Sequence, residues 1–273
     1  MSEQRSGSYL HGTAPEEQAR LSTLNDLLNR AAMRELRLRG GEKIADFGAG
    51  LGQLSRDMAR AAGRAVFGIE RSPKQIAEAM RQAAEAGEET LLELRQGDVQ
   101  EGVPRAEEGT FDVAHARFVL EHVPDPLVVV RAMMRSLRPG GRLVLQDDDH
   151  DVLRLWPEPL GIRPLWAAYM RAFDRLGNDP HVGRRLVELI HAAGGRATRT
   201  TWLFFGACAG EKTFAQLVDN MASLVAGARE AILTDGLLPA STFDAALAEL
   251  RRFRDCPDGA FWYAVSWAEG VKP

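Results

Sequence analysis

Cysteine is scarce in this 273-residue chain: Cys208 and Cys256 stand alone, far apart and without metal-like spacing. That argues against a disulfide framework and gives no support to a cysteine-built metal site. Positive charge is also short, because 34 lysines and arginines face 38 aspartates and glutamates for a formal net charge of -4. Without a general basic field a phosphate backbone is a poor partner, and no nucleic acid is expected. No apolar run reaches 18 residues and no signal-peptide core is present, so the expectation is a cytoplasmic protein with no membrane span. Charged residues at 26% and hydrophobic ones at 45% describe an ordinary soluble globule.

The most informative stretch is IADFGAGLG, Ile44 to Gly52: a short apolar run broken by an acid, then three glycines at alternate positions. A strand that ends in such a loop and leads into a helix offers bare backbone amides to a nucleotide-like ligand. The dinucleotide fingerprint requires its third glycine three residues after the second, and Gln53 stands there instead. The spacing therefore points away from a nicotinamide cofactor.

Strand and helix signals alternate from this loop onward. Lys43 to Phe47, Ala65 to Glu70, Leu91 to Gln96, Phe111 to Ala116 and Arg142 to Gln146 read as strands. Leu54 to Ala62 reads as a helix, and Ser72-Pro73 caps and opens another that ends near Ala86. Such alternation predicts a parallel sheet wrapped on both faces. Ahead of it, Leu21, Leu24, Leu28 and Ala31 share one face of a helix predicted over 15–38 and stopped by Gly40-Gly41. Beyond the fifth strand, Ile162, Leu165, Trp166, Tyr169, Met170 and Phe173 repeat at helical spacing, as do Phe214, Leu217, Val218, Met221, Leu224 and Val225. Both stripes are packing faces or a roof over a substrate, or both at once. Ser241 is the expected cap of a helix reaching Phe253, and FWYAVSWA, Phe261 to Ala268, is the last strand.

The glycine loop, the acid Glu70 ending AVFGIE, the tripeptide Gly97-Asp98-Val99, the segment FDVAHARFVLEHV and LRPGGRLVL together resemble the class I S-adenosylmethionine-dependent methyltransferases. The resemblance covers roughly residues 40 to 150 closely. It implies an α/β fold, a doubly wound, seven-stranded, mostly parallel sheet (Rossmann-like) with one antiparallel strand and helical lid insertions. The expected organisation is an N-terminal helical cap over 1–40, a cofactor-binding core over 41–150, and a C-terminal part over 151–273 carrying a lid at about 151–182 and 210–236.

The implied cofactor is S-adenosyl-L-methionine, held by Tyr9, Asp46, Gly48, Ala49, Gly50, Gln53, Glu70, Arg71, Asp98, Val99, Ala116 and Arg117. Glu70 would accept from the ribose hydroxyls, as an acceptor-only carboxylate should. Asp98 would take the adenine amino group and Val99 a ring nitrogen, unless Gly97-Asp98 is only a turn. Arg117 would pair with the cofactor carboxylate or with a surface acid. Tyr9 resembles an N-terminal element that folds over the cofactor in related enzymes.

A sulfonium is already electrophilic, so the protein mainly aligns an acceptor and excludes water. A base is required only where the acceptor must lose a proton, and His122 is the candidate, with a structural role as the alternative. The run Asp147 to His150 is expected to be a solvated strand exit. Neighbouring strand residues point apart, so no metal site is expected there. The resulting expectation is a methyltransferase acting on an O, N or C atom of a small, largely apolar metabolite, as a monomer or homodimer. A methyltransferase of protein or RNA is the alternative, and a nicotinamide-dependent reductase ranks below both.

Overall fold

Strands covered on both faces read as near-continuous apolar runs. Accordingly β1 (Ile44–Phe47) is buried at all four residues and β2 (Val66–Glu70) at all five. The computed structural model describes residues 28–273. Its first described element is α1 (28–36), followed after β1 by α2 (Gln53–Ala62) and, after β2, by α3 (Pro73–Glu85). Then come β3 (Leu92–Gln96), β4 (Phe111–Arg117), α4 (Pro126–Ser136) and β5 (Leu137–Asp148). Ser72 caps α3 by accepting from the Gln75 amide at 3.3 Å, with Pro73 in the first turn.

Two compact units divide the described chain. The larger comprises 28–148, 181–203 and 265–273, and the smaller 149–180 and 204–264. Two strands run through both: β7 (Arg196–Cys208) and β8 (Ala260–Val271). In the larger unit β2, β1, β4 and β5 pair in parallel, with β3 beyond β2. β8 then joins β5 antiparallel, from Arg142↔Val271 to Asp148↔Val265. The hydroxyls of Thr198 and Thr200 donate to the carbonyls of Glu269 and Trp267, at 3.3 and 2.9 Å. Partner numbers fall as the chain rises, so β7 lies antiparallel on the far side of β8. The order β3-β2-β1-β4-β5-β8-β7 is the expected seven-stranded sheet.

Helix α6 (Leu186–Ala192) belongs to the same unit and adds Leu186, Leu189 and Ile190 to a core built on Phe47, Phe111, Leu143 and Leu145. Helix α1 buries Leu28, Ala32 and Leu36 at four-residue spacing. It is fastened through Arg199, which bridges Glu35 and Glu269, and through Arg142, which donates to the Leu36 carbonyl. The helix stops at residue 36 and not at Leu38, because Arg37 turns to a positive φ of 48°.

The smaller unit corrects two expectations. It holds an eighth strand, β6 (Arg154–Trp156), paired antiparallel with Trp262 to Ala260 of β8. Three residues are too few for a period to show. Helix α9 (Ala240–Phe253) begins one residue before the expected cap: Pro239 takes the N-cap position and Ser241 lies inside the first turn. With α5 (Ile162–Arg175), α7 (Lys212–Gly227) and α8 (Arg229–Thr234), α9 encloses one core. Leu165, Trp166, Tyr169 and Phe173 meet Phe214, Val218, Met221 and Val225 there, so the two aromatic-rich stripes are packing faces of this unit. No helix among the described residues is long and apolar enough to cross a membrane.

Candidate functional site

The strand order reverses at β1, which has β2 on one side and β4 on the other. Open α/β sheets bind ligands at the carboxyl ends of the strands beside such a reversal. The glycine loop follows β1 at that place. Its Gly48 and Ala49 amides donate to the Ile69 carbonyl at 2.8 and 3.0 Å, and the Gly52 amide to the Ala49 carbonyl at 2.8 Å. Two glycines differ in purpose. Gly48 has φ +79° and a Cβ there would lie 2.4 Å from Val119 Cγ2, so the fold itself requires a glycine. At Gly50 the nearest atom to an added Cβ is Gln75 Oε1 at 3.6 Å. Gly50 thus has no protein atom closer than ordinary van der Waals contact where a Cβ would sit.

Glu70 closes the next strand and is buried. One carboxylate oxygen accepts from the Gly50 amide at 3.1 Å and the other from Ser72 at 2.8 Å, so it ties the loop to the start of α3. Arg71 beside it is exposed, and its carbonyl accepts from Gln96. Asp98, past the end of β3, accepts from the Gln100 amide at 2.8 Å in a tight turn, with the half-buried Val99 packed on the core. Gln53 opens α2 and reaches Gln82 at 3.5 Å. Ala116, buried, and Arg117 finish β4. Tyr9 lies outside the described residues.

Asp46 faces inward. One oxygen sits 2.8 Å from His115 Nδ1, the other accepts from the Ser55 hydroxyl at 2.5 Å, and His115 Nε2 lies 2.7 Å from the Gln146 amide nitrogen. Burial pushes the Asp46 carboxyl up, but His115, the Ser55 hydroxyl and the charge of Arg117 outweigh it and hold the group below the ordinary carboxylate value. His115, Ser55 and Gln146 form a buried polar layer behind the loop that the sequence reading missed. The available signal was a histidine interrupting the otherwise apolar VAHA of β4.

The run from Asp147 is not a solvated exit: Asp147, Asp149 and His150 are all buried. Asp147 Oδ2 accepts from the amides of Val119 and Leu120 at 3.1 and 2.8 Å, fixing the loop that follows β4. Burial, and then the charge of Glu121, raise its carboxyl well above the ordinary value. In the smaller unit His150 sits among the rings of Trp166, Tyr169 and Phe173, edge-on at 5.5 to 5.9 Å, with the Tyr263 hydroxyl 3.2 Å from Nδ1. His122 ends a 3-10 turn over Leu120–His122, and its Nε2 lies 3.5 Å from Glu121 Oε1.

Residues 45–145 match the methyltransferase domain family. The chain is 35% identical over 152 residues to the 27-O-demethylrifamycin SV methyltransferase of Amycolatopsis mediterranei, covering 56% of this chain and 53% of that one. It is 41% identical over 103 residues to a ubiquinone biosynthesis O-methyltransferase of Ralstonia nicotianae, covering 38% of this chain and 42% of the relative. The matches thus span about half the length of these curated relatives or less. In fold it is similar to a geranyl diphosphate methyltransferase solved with S-adenosylmethionine, with a TM-score of 0.56 at 16% identity, covering 97% of this chain and 94% of that one. The glycine loop after β1, the acid ending β2 and the reversed strand order all fall in the matched region, and residues 45–145 carry a class I S-adenosylmethionine-dependent methyltransferase domain.

Proposed function

We propose that this protein transfers a methyl group from S-adenosylmethionine to an O, N or C atom of a small, largely apolar metabolite. The observation that carries the reading is the pairing of Gly50 with Glu70, twenty residues apart and joined at 3.1 Å. It sets an acceptor-only carboxylate beside a glycine loop that carries no bulky side chain at position 50. Bound there, the cofactor would supply an electrophilic sulfonium methyl. Glu70 would receive the ribose hydroxyls, Asp98 and Val99 the adenine edge, and the loop from Gly48 to Gly50, with Asp46 behind it, the amino-acid part.

The acceptor class rests on three supports. The relatives carry names that specify a rifamycin and a ubiquinone precursor, both small molecules. The net charge of -4 disfavours a nucleic acid substrate. The elaboration beyond the matched domain is an apolar helical unit, to which we assign recognition of the acceptor. His122, whose Nε2 lies 3.5 Å from Glu121 Oε1, is the base we assign where the acceptor must shed a proton. A cytoplasmic monomer or homodimer completes the proposal.

Calorimetry with S-adenosylhomocysteine tests the cofactor site. Glu70→Ala removes two charge-assisted hydrogen bonds to the ribose, an expected loss of roughly 2 to 3 kcal/mol or about 30- to 150-fold in affinity. Unchanged affinity removes Glu70 from the site. Turnover on a panel of phenols, quinones, amines and polyketide-like acceptors then identifies the acceptor atom.

A further inference from the structure

In the smaller unit the paired ends of β6, β7 and β8 bury one face only. Leu155 on β6 and its register partner Phe261 on β8 enter the helical core, as does Ala207 of β7. Phe205 and Tyr263 meet on that same side, with ring centroids 5.6 Å apart. Alternation turns Trp156 of β6, Trp262 of β8 and Phe204 of β7 the other way. An antiparallel sheet solvated on that face carries polar residues there. This one carries rings instead: Trp156 is 68% exposed, Phe204 63% and Trp262 38%. Trp262 is the least exposed because its indole lies against Gly206, where an added Cβ would come within 3.0 Å of Cδ1. That contact puts Gly206, and with it Phe204 two residues earlier, on the Trp262 face.

Three neighbouring rings leave on the order of 300 to 400 Å² of aromatic surface in water, a patch of the size that marks an interaction site. The charges around it say which partner fits. Arg154 lies opposite Trp262 and is exposed. Its guanidinium donates to the carbonyls of Asp151 and Leu153 and has no carboxylate in contact among the described residues. Asp258, in the turn that enters β8, is also exposed and accepts from the Cys256 thiol at 3.1 Å. It comes two residues before Ala260, the register partner of Trp156. The patch therefore runs from a cation, past Trp156, to an anion. A surface patterned in this way is complementary to its own copy turned about a two-fold axis. The aromatic area is about half of the roughly 800 Å² that each partner gives to a standard interface, which suits a reversible association. We propose that this face is where two copies of the chain meet in a reversible homodimer, ring against ring, with Arg154 of each copy set against Asp258 of the other.

Sedimentation equilibrium over a concentration series tests it, with melting temperatures to check that each variant is folded. The contact needs no cofactor, and the measurement is made without one. The wild type is expected to dimerise with a Kd of about 1 to 100 μM. Trp156→Ser is expected to weaken the dimer at least about 30-fold, because a change in a two-fold contact is felt twice. Phe204→Ser, also at an exposed position, keeps the test open if Trp156→Ser does not fold. Arg154→Asp and Asp258→Arg are each expected to weaken association about 5- to 20-fold, and the two together to return it to within about threefold of wild type. Only pairing between copies predicts that recovery. A protein still monomeric at about 500 μM overturns the proposal, whether or not it sediments with vesicles of phosphatidylcholine and phosphatidylglycerol. A dimer that neither serine variant weakens, or a double variant no better than the single reversals, overturns it as well.

Discussion

Asp46 on β1 and His115 on β4 are direct register partners, and their side chains meet at 2.8 Å in the interior of the sheet. The pair sits immediately before the glycine loop and so fixes the backbone from which that loop departs. Its energetics follow from burial. Removing His115 leaves the buried Asp46 carboxylate without one of its hydrogen-bond donors, at a cost of about 1 to 3 kcal/mol. His115→Ala is therefore expected to lose that much stability at pH 7 in urea unfolding.

The pH dependence has a definite sign. The folded Asp46 carboxyl lies below the ordinary aspartate value. Its contribution is therefore complete above the unfolded value and is lost as pH falls through the lower folded one. Asp46→Asn should be less stable than wild type at pH 7, and the gap should narrow below about pH 4. A gap that stays constant between pH 7 and pH 3 would show that the charge of Asp46 contributes nothing.

Gly48 and Gly50 should respond oppositely to the same change. An alanine methyl at 48 meets Val119 Cγ2 at 2.4 Å from a backbone at φ +79°, so Gly48→Ala is expected to be destabilised by at least about 2 kcal/mol. At 50 the methyl makes only an ordinary contact with Gln75 Oε1 at 3.6 Å, from a backbone at φ +55° that costs about 1 kcal/mol. Gly50→Ala should fold and melt near wild type while losing S-adenosylhomocysteine affinity by at least tenfold. Full affinity in that variant would place the ligand elsewhere.

Legibility from sequence followed local chemistry. The strand ends at Phe47 and Glu70, the cap at Ser72 and the alternation over residues 44–146 were readable because each rests on neighbours within a few residues. The links between Asp46 and His115, 69 residues apart, and between Arg117 and Asn29, 88 apart, were not, since they exist only once strand order is known. Trp166 and Phe214 show the same limit in another form. Helical periodicity announced that each stripe is buried but not against what, and the answer, each other and α9, is a tertiary fact. Pro239, in extended conformation at φ -62° and ψ 144°, takes the N-cap position in place of Ser241.

Asp147 offers the reverse of the Asp46 case. Its carboxyl is raised by burial and by the charge of Glu121, while Oδ2 holds the Val119 and Leu120 amides. A buried acid whose folded value is raised contributes its full stability below the unfolded value and loses it as pH rises toward the folded one. Asp147→Asn keeps an acceptor oxygen for the two amides and removes the ionisable group. The variant is therefore expected to match wild type near pH 4 and to become progressively the more stable of the two as pH rises to 8. Melting temperatures across that range check the sign. A variant that loses ground as pH rises would show that the ionised carboxylate, and not the neutral acid, is the form the loop after β4 requires.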